Sequence, residues 1–292
     1  MIRFAEVVVG EGGGIRCARC HPDGAVVSYR DAEEVRAEVS AVCGLWDTPP
    51  GPNITFTGAE PFGHPALPSL IASAVEAGCV RVCLDTDAVA CTSPQNAGGS
   101  LMAGVRHLRW IVLGGTPGVH DALTSRPGAL DASVAGVRSF RSIAKDQDID
   151  ISVTAVIPVC RHNVHDLPAA VSVALGVEAD AVHLRVEDGG LDLGSAIPWL
   201  VAACDTGVVN GVWVEVEGVP FCLLPGYDLH LADAVRVRPG TKQTACASCA
   251  LDPVCAGAPA SASTDQLALL VPPGSAPSLA ASVMRSRREA VR

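Results

Sequence analysis

Short β-branched runs alternate with longer Ala-rich segments along roughly the first 205 residues. The pattern predicts strands at 3–9, 53–57, 80–85, 109–114, 150–157 and 181–186. Runs such as Ile151-Ser152-Val153-Thr154-Ala155-Val156-Ile157 suit strands covered on both faces, as in a parallel sheet. Helices are predicted between them, at about 30–43, 67–77, 131–145, 166–176 and 195–205. Asp31, Asp131 and Asp166 stand where an N-cap carboxylate would accept from free backbone amides. The clearest helix places Leu70, Ile71, Ala74 and Val75 on one face, and Gly78 stops it. Six strands with intervening helices predict an α/β fold. An open, partial (β/α)6 TIM-like barrel is the favoured architecture, and a doubly wound sheet with a second domain competes with it. From about residue 210 the grammar changes to a strand-like Val212-Trp213-Val214-Glu215-Val216 followed by loop-rich, cysteine-bearing sequence. The expected division is a barrel over 1–209, a small Cys-rich metal-binding appendage over 210–260, and a peripheral tail over 261–292.

Composition narrows the function classes. Of 292 residues 49% are hydrophobic and only 4% aromatic, so Ala, Val and Leu must fill a sizeable core. The formal charge of −10 and the lack of a basic patch argue against nucleic acid, whose phosphates demand clustered Lys and Arg. No apolar stretch approaches the ~20 residues of a membrane span. No signal-peptide pattern precedes the first strand, which predicts a cytoplasmic protein. Without an export signal, the 12 cysteines read as thiols and metal ligands rather than a disulfide framework. Cys43, Cys79, Cys83, Cys91, Cys160 and Cys204 lie mostly among apolar neighbours and read as small buried hydrophobes.

The other six sit in two settings. Cys246-Ala-Ser-Cys249 can wrap one metal centre from a single turn; Cys255 follows closely, and Cys222 is the natural fourth ligand. Four thiolates suit tetrahedral zinc or a cubane iron–sulfur cluster, and spacing does not choose between them. The second setting is Glu11-Gly-Gly-Gly-Ile-Arg-Cys17-Ala-Arg-Cys20-His21. Cys17 and Cys20 fall where the last two cysteines of a C-x-x-x-C-x-x-C cluster loop would fall, and Gly13 occupies the first position. The same residues match the C-x-x-C-H signature of covalent haem, which usually accompanies export. Gly10 to Gly14 lack the Lys and Ser/Thr of a phosphate loop.

Taken in order, these features resemble the radical S-adenosylmethionine (radical SAM) superfamily, in particular its twitch/SPASM-like members with a C-terminal auxiliary cluster. The resemblance runs from about residue 2 to 258. It rests on the cysteine loop, Gly58-Ala59-Glu60-Pro61 after the second strand, Leu84-Asp85-Thr86-Asp87 after the third, and Gly118 to Thr124 after the fourth. Arg161-His162-Asn163 and the Cys222 to Cys255 set complete it. The resemblance implies two 4Fe-4S clusters. One would bind S-adenosylmethionine on Cys17 and Cys20 and yield a 5′-deoxyadenosyl radical; the auxiliary one would sit on Cys222, Cys246, Cys249 and Cys255. It also implies that Gly58, Ala59, Glu60 and Pro61 hold the methionyl amine, with Asp85 and Asp87 lining the cofactor pocket.

Three departures redirect the expectation. Gly13 offers no thiolate, Ala59 stands for the second glycine of the amine-binding motif, and Asp87-Ala88 stand where Asn-Gly is common. Glu11, His21, Cys83 or Cys91 are candidate substitutes for the missing ligand. The expected function is a non-catalytic or accessory subunit in peptide or small-metabolite (natural product) biosynthesis, retaining the auxiliary centre. It would work beside a radical SAM enzyme or present a peptide or small-molecule substrate. The alternative is an active enzyme with an atypically ligated cluster. Weaker candidates are His120 and Asp121 for acid–base chemistry, His162 and His165 as capping or packing residues, and Glu187 and Asp188 at the end of the sixth strand.

Overall fold

The computed structural model describes residues 4–12, 26–45, 51–186, 191–232 and 240–258. Gly13, Cys17, Cys20, His21, Glu187, Asp188 and the 261–292 tail lie outside the described residues. The chain forms two compact units, one of residues 1–156 with 176–180, the other of 157–175 with 181–292.

The first unit is built on parallel strands joined by helices. β1 (Phe4–Glu11) pairs with β3 (Asn53–Gly58), β3 with β4 (Arg81–Thr86), β4 with β5 (Val105–Ile111), and β5 with β6 (Ser152–Val159) through residues 152–156. The two-residue β2 (Ser28–Tyr29) adds antiparallel to the end of β1. The connections carry α1 (Ala32–Gly44), α2 (Leu67–Glu76), α3 (Pro94–Ala103), α4 (Pro117–Thr124) and α5 (Ala129–Asp146). Every parallel strand therefore ends on the same side, where open α/β sheets build their sites.

Register shows why the sheet has two unlike faces. Val7, Phe56, Leu84 and Leu108 stand in one cross-strand row, with Val153 beside Leu108, and all are fully buried. The adjacent row runs Glu6, Thr55, Cys83, His107, Ser152. Successive side chains alternate between faces, so one face is apolar and the other polar. On the polar face the Arg109 guanidinium lies 3.2 Å from Asp85 Oδ1 and 3.5 Å from Glu6 Oε1. Thr57 Oγ1 donates to Asp85 Oδ2 at 2.9 Å, and His107 Nδ1 lies 2.6 Å from Ser152 Oγ. Burial, reinforced by Arg81 and Arg109, lowers the His107 pKa to about 4. Both faces are covered at the centre of the sheet, where Thr55, Cys83 and Asp85 are buried as well as Phe56 and Leu84, but one of the covered faces is polar. Ser152 and Thr154 are β-formers, but they mark the polar face.

The second unit holds α6 (Leu167–Gly176, apart from its last residue), β7 (Ala181–Val186), α7 (Leu193–Asn210) and β8 (Trp213–Glu217), followed by short 3-10 turns. β7 and β8 pair in parallel, so strand–helix alternation runs to residue 217. Val182, Leu184, Val214 and Val216 are buried, while His183 Nε2 meets Glu217 Oε2 at 2.9 Å.

Local chemistry explains where the other expectations shift. Asp31 caps α1, accepting from Glu33 N at 2.8 Å. Asp131 does not cap α5; it lies in the first turn, and the amides of Gly128 and Leu130 go to the Asp121 carboxylate. Asp166 ends a 3-10 turn just ahead of α6. The strand expected at 109–114 begins at Val105 and ends at Ile111, because beyond it Leu113 N donates to His120 Nδ1. Among the described residues no helix is long and apolar enough to cross a membrane.

Candidate functional site

The first candidate site gathers at the C-terminal ends of β1, β3 and β4. Gly58 has φ +100°, and a methyl there would overlap the Gly10 carbonyl, so only glycine fits this close crossing. Ala59 N donates to that same carbonyl at 2.9 Å. The Ala59 side chain is fully buried. Pro61 opens a 3-10 turn over Pro61–Gly63, its missing N–H matching a position that has no helical acceptor.

Glu60 is the hub. Its Oε1 accepts from Thr86 Oγ1 at 2.7 Å and from Phe62 N at 3.3 Å, and its Oε2 accepts from Asp87 N at 3.1 Å. A carboxylate offers about four acceptor positions, so roughly one remains for a ligand. Burial, then the nearby Asp87 carboxylate, raise the Glu60 pKa from 4.5 to about 7. Asp87 is itself tied down: Oδ2 meets the Arg126 guanidinium at 2.7 Å and Oδ1 accepts from Val89 N at 3.0 Å. Ser133 Oγ donates to Asp87 O and accepts from Trp110 Nε1, both at 2.6 Å, locking the turn onto α5. Ala88 has φ 62°, a left-handed conformation natural to glycine. The position that departs from Asn-Gly in sequence thus keeps the backbone a glycine would take.

Asp85 does not join this hub; its carboxylate is held by Arg109 and Thr57 on the polar face. Cys91 is fully buried, and desolvation followed by Glu60 and Asp87 pushes its thiol well up. Cys83 is pushed to about 11, chiefly by burial. His120 is buried, its pKa lowered by desolvation, and it accepts Leu113 N. In this fold His120 Nδ1 and the Asp121 carboxylate both accept backbone amides. Asn163 accepts from Cys160 N at 2.8 Å and donates to Pro158 O at 2.7 Å, while His162 Nε2 accepts from Arg161 Nε at 3.2 Å.

The second candidate site lies wholly in the second unit. Cys222, in the 3-10 turn Phe221–Leu223, and Cys246, in the turn Thr244–Ser248, line one cavity with Cys249 and Cys255. The cavity holds about 370 Å³ of space including its open mouth. Cys249 N donates to Cys246 O at 2.9 Å, and Cys255 N to Leu251 O at 2.9 Å, so consecutive tight turns set the spacing. Gly257 N donates to Cys255 Sγ at 3.4 Å, the kind of N–H···S contact that favours a thiolate. Burial first, then the proximity of Cys255, Cys246 and Cys249, push the Cys222 thiol to about 11. Lys242 lies on the rim, its ammonium 2.9 Å from Asp252 Oδ1. Among the described residues, no three His, Cys, Asp or Glu side chains converge tightly enough to hold a single metal ion.

Sequence reasoning missed Thr86 and Arg126 as partners of the Glu60 hub. They are 26 and 66 positions away from it in sequence, and only the β3–β4 register and the α4–α5 connection bring them near.

No sequence-family description and no curated protein matches the chain. Solved structures do. Streptococcus suis SuiB bound to S-adenosylmethionine superposes with TM-score 0.57 at 13% identity, over 77% of this chain and 53% of that one. Methylornithine synthase (PylB) gives 0.51 at 12% identity, over 78% and 67%. Native anSMEcpe with bound AdoMet gives 0.51 at 12%, over 73% and 64%. These are radical SAM enzymes. The chain has their fold. It spans about half the length of SuiB. In this chain the Glu60 hub lies at the strand ends and the four-cysteine cavity follows β8.

Proposed function

We propose that this protein is a radical-SAM-like subunit that carries an iron–sulfur centre on Cys222, Cys246, Cys249 and Cys255 and does not itself cleave S-adenosylmethionine. The observation that carries the reading is the single cavity ringed by those four thiols. Four thiolates on one cavity suit a cubane cluster or a tetrahedral zinc ion, and the likeness of the fold to radical SAM structures favours the cluster. When bound, such a cluster supplies one-electron chemistry. The chain's own part is to present four thiolates, to place the Gly257 amide on Cys255 and to keep the Lys242 ammonium at the rim.

The non-cleaving half of the proposal is supported by Gly13, which removes one thiolate from the N-terminal loop, and by the Glu60 hub. Three donors of the fold already take the Glu60 carboxylate, and its proton affinity weakens it as a partner for an ammonium near neutral pH. Gly58, Ala59, Glu60, Pro61, Asp85 and Asp87 would then form a residual cofactor pocket. An accessory role in peptide or small-metabolite biosynthesis, beside a competent enzyme or its substrate, follows from this reading. The test is anaerobic reconstitution followed by a strong reductant and S-adenosylmethionine. No 5′-deoxyadenosine should form from the protein alone. Reductant-dependent 5′-deoxyadenosine would overturn the proposal and establish the alternative, an active enzyme with an atypically ligated cluster.

A further inference from the structure

Cys43 and Cys79 lie outside both candidate sites, yet they are not isolated. Cys43 is in the last turn of α1, and Cys79 is in the turn between α2 and β4. They are 36 residues apart in sequence, and their sulfurs stand 3.0 Å from each other. That is closer than two sulfurs in ordinary contact, so a small torsional adjustment reaches bonding distance. Cys43 is buried and Cys79 is partly exposed. The Cys79 backbone is held by a bond from its N to Ala74 O at 3.1 Å. The pair is therefore held on a helix end and a hydrogen-bonded turn, with one member partly open to a reagent and the other buried.

We propose that Cys43 and Cys79 form a reversible disulfide by exchange with a low-molecular-weight disulfide such as oxidised glutathione. The Cys79 thiolate attacks one sulfur of the small disulfide and releases the first small thiolate. The Cys43 thiolate then attacks the Cys79 sulfur, breaks the mixed disulfide and releases the second. Two protein thiols are oxidised, one small disulfide is reduced to two thiols, and the two protein protons pass to the leaving thiolates. Burial, then Cys43 itself, push the Cys79 thiol above its ordinary range, so the exchange should accelerate as pH rises from 7 to 9. The closed disulfide would staple the end of α1 to the α2–β4 turn.

The sequence makes the test clean. No Lys or Arg lies between Arg36 and Arg81, so trypsin releases both cysteines in one peptide, 37–81, that contains no other cysteine. Cys246, Cys249 and Cys255 fall in a different peptide, after Lys242. Full-length protein is incubated anaerobically with oxidised glutathione, its free thiols are alkylated, and the digest is weighed. Peptide 37–81 should appear unalkylated and two hydrogens lighter, and dithiothreitol should reverse the change. The oxidised parent should melt about 10 °C above the reduced parent, as expected for a loop of this length. Cys43→Ser should instead retain one glutathione on Cys79. A doubly alkylated peptide 37–81 after prolonged exposure at pH 8.5, or a lasting glutathione adduct in the parent, would overturn the proposal.

Discussion

Glu60→Gln isolates the energetics of the hub. In the folded chain the Glu60 carboxyl titrates at about 7 instead of 4.5, because burial and Asp87 both penalise its charge. A raised carboxyl pKa means the folded state holds the proton more tightly than the unfolded chain. The stabilisation is complete below about pH 4.5, declines as pH rises to about 7, and is gone above that. Each pKa unit is worth ~1.4 kcal/mol, so the parent should lose on the order of 3 kcal/mol across this window from Glu60 alone. Gln mimics the neutral form and cannot ionise. It keeps one acceptor oxygen, so the bond from Thr86 Oγ1 survives, but it turns a donor toward Asp87 N and starts somewhat less stable. The informative quantity is therefore the slope, not the offset. Urea denaturation of both proteins at half-unit steps from pH 5 to 8 should show the variant gaining about 2–3 kcal/mol relative to the parent, with m-values unchanged. A stability difference constant over that range would refute the buried-carboxyl argument. A parent that gains on the variant with rising pH would reverse it.

Other outcomes follow from single contacts. Gly136→Ala places a methyl on the Ala88 carbonyl, so despite better helix propensity it should destabilise the fold by about 2 kcal/mol, read as a lowered urea midpoint. Arg109→Met leaves Asp85 facing an apolar side chain at a site where only 6% of the Asp85 side chain is exposed. It should cost about 3 kcal/mol, and adding Asp85→Asn should recover part of that, which a double-mutant cycle would measure. Ala88→Gly relieves a left-handed alanine but removes a buried methyl, so the net change in melting temperature should be within about 2 °C of zero.

The skeleton was largely legible because it rests on local signals. The apolar runs marked β1, β3, β4, β6 and β7 within two residues, and Asp31 announced the start of α1. α3 escaped notice because Gly98 and Gly99 make Pro94–Ala103 read as loop, although Pro94 at its first turn was a usable start signal. The polarity of the second face escaped because Thr and Ser count as strand formers, and burial of Thr55 and Asp85 leaves no mark in hydropathy. His107-Leu108-Arg109-Trp110 carries the polar–apolar alternation openly. The candidate sites divide in the same way. Cys246 and Cys249 announce themselves by spacing, whereas Cys222, 24 positions before Cys246, lines the same cavity only through the fold. The occupancy of Glu60 was invisible, since it depends on the alignment of β4 beside β3. The contact between Cys43 and Cys79 was equally hidden, because apolar neighbours made each read as a buried hydrophobe.

The most direct test of the account is iron and sulfide content after anaerobic reconstitution, compared among the parent, Cys246→Ser/Cys249→Ser and Gly13→Cys. The account predicts about four irons per chain in the parent, one cubane's worth, and near zero in the double serine variant. Gly13→Cys should rise toward about eight. A parent that already carries about eight irons, or about four that survive loss of Cys246 and Cys249, would contradict it.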